Sequence, residues 1–164
     1  MKWFQRLLPA TVRQTLYLRY FGITRIPLLY YVRPSVTEIS DTRVVIKIPL
    51  NRRTKNHQGS MYFAALAMGA DVCVGLLAVD LINKQPQKIS FVFSDFNAEF
   101  YRRADADVYF CCDQGHEIAA LVDKAMHQDD RVALPLQAVA TLASDADQPV
   151  ARFRLTLSLK RSSA

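Results

Sequence analysis

Charge is almost missing from the middle of this sequence: the 24 residues from Asn56 to Val79 contain one charged residue, Asp71. Glycine and proline are also sparse, at 5 and 7 of 164 residues, which excludes a collagen-like or low-complexity chain. Three cysteines, Cys73, Cys111 and Cys112, make no even framework, so a disulfide scaffold is excluded and a reducing cytoplasm is the expected setting. The three histidines lie far apart in sequence, and none has a second ligand at metal spacing, so no metal site is expected. No Lys/Arg-rich block, zinc-finger spacing or ribonucleoprotein aromatic motif occurs. The net charge of +6 is thus read as a mild attraction for anions rather than as nucleic-acid binding. The first nine residues interleave charges with apolar residues and offer no uninterrupted apolar run, unlike a signal peptide.

What is there is half hydrophobic, 51% by composition, and of a length suited to one domain, taken as 1–164. Val12, Leu16, Tyr17, Tyr20 and Ile23 fall at steps of three and four, predicting an amphipathic helix from about Pro9, within an N-terminal segment 1–25 packed on that domain. Val44, Ile46 and Ile48 alternate as a strand that pairs with an earlier one around Leu29–Ile39. The stretch Ser60–Val79 predicts a long helix buried on nearly every side. A transmembrane span is its rival, but Asp71 at the centre would cost about 2.5–3.5 kcal/mol, and strand patterns flank it. Ile89, Phe91 and Phe93 alternate, then Phe96, Ala98 and Phe100 continue one residue out of phase, predicting a bulge at Ser94-Asp95. Val108–Cys112, Val132–Leu142 and Phe153–Leu159 read as further strands, with a short helix over Gly115–Gln128, for which a strand over Glu117–Met126 is the alternative. The class is α+β.

The run Asn56-His57-Gln58-Gly59-Ser60-Met61-Tyr62-Phe63-Ala64, continuing to Asp71, resembles the signature of hotdog-fold thioesterases of the phenylacetate-pathway type. There an Asn precedes His-Gly-Gly by six positions and an acidic residue by fifteen. Asn56 and Asp71 stand at the matching separation, and Gly59 matches a frequent small residue between them. The segment Phe96–Ala104 is similar to an uncharacterised bacterial branch of the same superfamily. The resemblance implies a curved antiparallel sheet wrapped around the long helix, a homodimer that can pair further into a tetramer, an acyl-CoA or related pantetheine thioester as ligand, and no cofactor. Tyr62-Phe63-Ala64 replaces the family's His-Gly-Gly.

If the long helix starts near Ser60, the amides around Tyr62–Ala64 are among its first unpaired N–H groups, suited to a developing oxyanion. Asp71, eight residues beyond Phe63, lies ~12 Å along the helix and cannot reach the same carbonyl within one chain. A working site therefore needs Asp71 from a second copy. In that reading Asp71 activates water or attacks the carbonyl carbon, with Asn56 of the facing subunit orienting water or thioester. Gly59, Tyr62, Phe63 and Ala64 contact substrate, and Arg102 and Arg103, with Arg52, Arg53 and Lys55, face coenzyme A phosphates. The alternatives stay open: Asp71 as a structural carboxylate, Asn56 and Ser60 as turn or cap residues, the arginines as a solvated face. The chain as a whole then becomes a non-catalytic acyl binder or a partner-binding domain.

Overall fold

The computed structural model describes residues 8–162. Its order is α1 (Ala10–Thr24), α2 (Pro27–Val32), β1 (Ser35–Ile39), β2 (Val44–Ile48), α3 (Phe63–Ile82), β3 (Ile89–Phe100), β4 (Val108–Cys112), α4 (Gly115–His127), β5 (Val132–Leu142) and β6 (Ala151–Arg161). The six strands form one antiparallel sheet in the order β1-β2-β4-β5-β6-β3. The α+β reading holds, with α3 as the central helix.

Helix α3 is rich in Ala and Leu, which lose little rotamer freedom in a helix. It packs on β2, β4, β5 and β6. Ala70, Cys73, Val74, Leu77 and Ala78 are fully covered, and burial of each Leu or Val stabilises by roughly 1.5–3 kcal/mol. Two contacts fix its height over the sheet. The Cys73 thiol donates to the Phe110 carbonyl at 3.3 Å, and Gly69 lies so near the Phe110 ring that an added Cβ would fall 2.2 Å from it. The helix is long and apolar enough to cross a membrane, but it is the core helix of this fold.

Burial of α3 is not complete. Ala64, Met68, Asp71, Gly75 and Val79, spaced four, three, four and four apart, form one stripe left partly open to solvent. Beside it runs β3, whose outer edge pairs with no described strand, and whose Val92, Phe96 and Phe100 are 45–51% exposed. The bulge falls where predicted: Phe93 faces Leu157 and Phe96 faces Leu155, so Ser94 and Asp95 together oppose Thr156. This slip keeps Phe91, Phe93 and Phe96 on one face of the sheet. The other sheet edge is covered, because the Val36 amide of β1 donates to Thr15 Oγ1 of α1 at 2.9 Å.

Two expectations fail near the N-terminus. Residues 29–32 are helical rather than part of the first strand: Pro27 occupies the first helical turn, where its missing N–H costs nothing, and Arg33 ends α2 in the left-handed region. The apolar stripe of α1 also faces outward. Val12, Leu16, Tyr20 and Ile23 are 42–68% exposed, while Leu18 and Gly22 make the buried side.

Candidate functional site

The chain enters α3 through a tightly tied loop. Thr54, 1% exposed, donates its hydroxyl to the Pro49 carbonyl at 2.6 Å and accepts the Asn51 amide at 3.0 Å. Lys55 and Met61 pair as an isolated bridge. Between them Asn56 Oδ1 accepts the amides of Gln58 at 2.9 Å and Ser60 at 3.3 Å, and its Nδ2 donates to Ser60 Oγ at 3.1 Å. Gly59 adopts φ +83°, a left-handed conformation that favours glycine, and a Cβ there would meet nothing within 4 Å. Gly59 therefore serves the turn, and Asn56 acts within this chain as the loop's organiser.

This loop decides which amides are free. Met61 N–H donates to the Ala104 carbonyl and Tyr62 N–H to the Thr54 carbonyl, both at 2.7 Å. The amides of Ala65 and Leu66 turn back to the Tyr62 carbonyl at 2.9 and 3.2 Å. Phe63 and Ala64 are left, among the described residues, as the two unpartnered donors of the first turn. The expected oxyanion segment Tyr62–Ala64 thus narrows to two residues, because the Tyr62 amide is occupied.

A cleft of about 470 Å³ opens at this helix start, walled by Asn56, Tyr62, Phe63, Phe100, Arg102 and Arg103 among others. Of the residues expected in the site, five meet here, whereas Gly59 and Ala64 are not on its wall. Tyr62 and Phe63 stand edge to face, with ring centroids 4.9 Å apart. Arg102 is held by the loop after β5: it pairs with Asp145 at 3.2 Å and donates to the Gln148 carbonyl at 2.5 Å. Arg103 donates to Gln58 Oε1 at 2.5 Å, a neutral partner that leaves its positive charge uncompensated by that contact. Of the other cations, Arg53 lies over the Tyr31 ring, 5.4 Å from its centroid.

Asp71 is elsewhere, in a second cavity of about 260 Å³ between α1, α2, α3 and β3, bounded by Tyr17, Phe21, Leu29, Gly75, Phe91 and Phe93. Its carboxylate has no hydrogen bond or ion pair with any described residue, and burial raises its pKa above the ordinary 3.8. The side chain is nevertheless solvent-exposed in the single chain. Both observations describe a carboxylate at the mouth of an apolar cavity, touching water while its walls remove much of its hydration. The aromatic walls, Phe100 and Tyr101 in the cleft and Phe91 and Phe93 in the cavity, were not among the expected site residues. Their signal was the phenylalanine alternation across the bulge.

Residues 16–159 match a family described as a domain of unknown function, DUF4442. No curated protein matches the chain by sequence. Solved structures do match. A Shewanella oneidensis protein provisionally named a thioesterase superposes with a TM-score of 0.74 at 10% identity, over 89% of this chain and 96% of that one. A thioesterase from Haemophilus influenzae gives 0.68 at 12% identity, over 94% and 92%. Zebra fish thioesterase superfamily member 2 gives 0.65 at 12% identity, over 95% and 100%. At these identities the likeness shows the fold alone, the hotdog fold that these neighbours share.

Proposed function

The chain belongs to the DUF4442 family, and from that premise we propose that it is a thioesterase acting as a homodimer on an acyl-CoA or related pantetheine thioester. The observation that carries the proposal is Asp71: a carboxylate of raised pKa, unpartnered among the described residues, on the open stripe of a core helix whose start presents two amides with no partner among those residues. Structural likeness to named thioesterases supports the reaction class, and similarity of Asn56–Asp71 to the phenylacetate-pathway signature supports the assignment of roles.

The way α3 and β3 run supports such a dimer. They are antiparallel neighbours, with Phe63 near Phe100 in the cleft and Asp71 near Phe93 in the cavity. Phe93 and Phe100 are seven residues apart, ~24 Å along the strand. Two β3 edges paired antiparallel about their middle bring the Phe93 end of one chain beside the Phe100 end of the other. The Asp71 of one copy then approaches the cleft of its partner, and the reverse, giving two equivalent sites.

In each site the Phe63 amide, on the wall of the cleft, receives the thioester oxygen, whose negative charge grows during attack. Asp71 of the other copy takes a proton from water as its oxygen bonds to the carbonyl carbon. The carbon–sulfur bond then breaks, and the thiolate leaves with a proton as the free thiol. A raised pKa suits Asp71 as a base. Asn56 sets the loop and has a second Nδ2 proton for water or ligand, while Arg103 faces the phosphates. The protein works in the cytoplasm, where coenzyme A thioesters are available.

Thiol release from a panel of acyl-CoAs tests this. Wild type turns over at least one member, and Asp71→Ala lowers its rate about 100-fold or more. Equal rates for the two would sink the role of Asp71. Phe63, at the first glycine of the family's pair, favours one second reading, a binder without turnover. That reading predicts thermal stabilisation by acyl-CoA with no thiol released.

A further inference from the structure

The net charge of +6 has one source. Lys2, Arg6, Arg13, Arg19, Arg25 and Arg33 are the only charged residues before Glu38, so residues 1–37 carry the whole excess and the remaining chain is balanced. The described part of this segment, α1 and α2, also presents apolar side chains outward. Val12, Leu16, Tyr20 and Ile23 follow one face of α1 at 42, 55, 68 and 61% exposure, and Leu28 and Tyr31 of α2 are 55 and 51% exposed. An apolar surface of this extent marks a contact site.

Charge decides what covers it. A second copy would set one segment of strong positive net charge against another of the same sign. A nucleic acid would answer the charge and leave Leu16 and Ile23 in water. An anionic lipid surface answers both, because its headgroups attract the arginines while aliphatic and tyrosine side chains enter the layer beneath. We propose that the α1–α2 pair docks this protein on the surface of anionic membranes. The same helices supply Tyr17, Phe21 and Leu29 to the wall of the Asp71 cavity, which places that cavity beside the bilayer. Resting on the thioesterase reading, this makes the substrate class a long-chain acyl thioester that partitions into lipid.

Flotation of the full chain with vesicles tests the docking. Wild type floats with mixed phosphatidylcholine and phosphatidylglycerol vesicles at low salt, and not with phosphatidylcholine alone. Leu16→Ser, Tyr20→Ser and Ile23→Ser combined weaken binding about tenfold or more without lowering the melting temperature. Arg6→Gln and Arg25→Gln weaken it about fivefold per charge removed. The proposal is overturned if wild type stays with the unbound fraction, if the apolar triple variant floats like wild type, or if that variant changes the oligomeric mass, which would make the patch an interface between copies. Tighter binding to a DNA duplex than to mixed vesicles, unaffected by the apolar triple variant, would also overturn it. The vesicle assay contains no thioester, so a protein that floats but releases no thiol defeats only the thioesterase reading, and one that hydrolyses but does not float defeats only the docking.

Discussion

Adding one methyl group at Gly69 tests how closely α3 is held against the sheet. A Cβ there would lie 2.2, 2.3 and 2.5 Å from three ring carbons of Phe110. Carbon atoms pack at about 3.5 Å or more, so the nearest contact is short by about 1.3 Å. Neither side has room to yield. Phe110 is fully buried with its ring 6.3 Å from that of Phe153, which is itself flanked by Phe96 and Phe100. Cys73 ties the helix to the same strand one turn further on. Overpacking of this kind costs up to about 3 kcal/mol, while replacing a helical glycine by alanine returns about 1 kcal/mol. The net loss for Gly69→Ala is therefore about 2 kcal/mol, or a melting temperature lowered by about 4–8 °C in a chain of this size. Gly75→Ala is the control, since its Cβ would meet only Phe93, at 3.9 Å. Helix propensity then dominates, and stability rises by up to about 1 kcal/mol. Thermal unfolding followed by circular dichroism reads both variants. A Gly69→Ala protein as stable as wild type would refute the packing argument, and a loss at Gly75 would report a second copy on the open stripe.

Four further outcomes are expected. Because Asp71 has a raised folded-state pKa, its ionisation opposes folding: the opposition is absent below about pH 3.8 and grows as pH rises through the folded value. Denaturant midpoints across pH should thus show Asp71→Asn at least as stable as wild type at neutral pH, with the advantage gone in acid; a variant less stable at pH 7 contradicts this. Val92→Lys places a charge on the open β3 edge and should convert dimer to monomer in sedimentation, an unchanged mass counting against that interface. Arg103→Ala should raise KM for coenzyme A thioesters on the order of tenfold, while Arg102→Ala, whose partners are Asp145 and Gln148, should change KM little. Asn56→Ala removes three loop hydrogen bonds and should lower unfolding free energy by about 1–2 kcal/mol in urea titration.

The elements that sequence resolved best are those with a clear alternation: β6, with charged and polar residues set against Phe153 and leucines, and β3, whose alternation marks its own slip at the bulge. Periodicity reports that an apolar stripe exists and not what lies against it. Hence Val12, Leu16, Tyr20 and Ile23 looked like a packing face and are the exposed one, while the buried side of α1 rests on Leu18 and Gly22. The helix at Pro27–Val32 was hidden because β-branched and aromatic residues on both sides of Pro34 read as one extended run. At the candidate site, spacing gave the separation of Asn56 from Asp71 and the expectation, carried into the proposed dimer, that a second chain unites the cleft with the carboxylate. It could not give the competition for amides: only tertiary contacts show that Thr54 claims the Tyr62 N–H, that Asn56 is engaged with Ser60, and that Asp145 holds Arg102.

The uncovered edge of β3 has a consequence for the life of the newly made chain. A strand of 12 residues with free backbone groups and exposed Val92, Phe96 and Phe100 is a template for any extended segment it meets. The opposite edge is guarded by a side chain of α1, whereas β3, without proline or lysine, has only its bulge and the acidic Asp95 and Glu99 to repel a stranger. Correct pairing must therefore outrun adventitious pairing, and the contest depends on concentration. Dilution slows the first, while overproduction at high temperature feeds the second. In the proposed homodimer, yield of soluble protein is then set by how quickly two folded copies find one another, and a better guarded edge would lift that limit at the cost of the partnership itself.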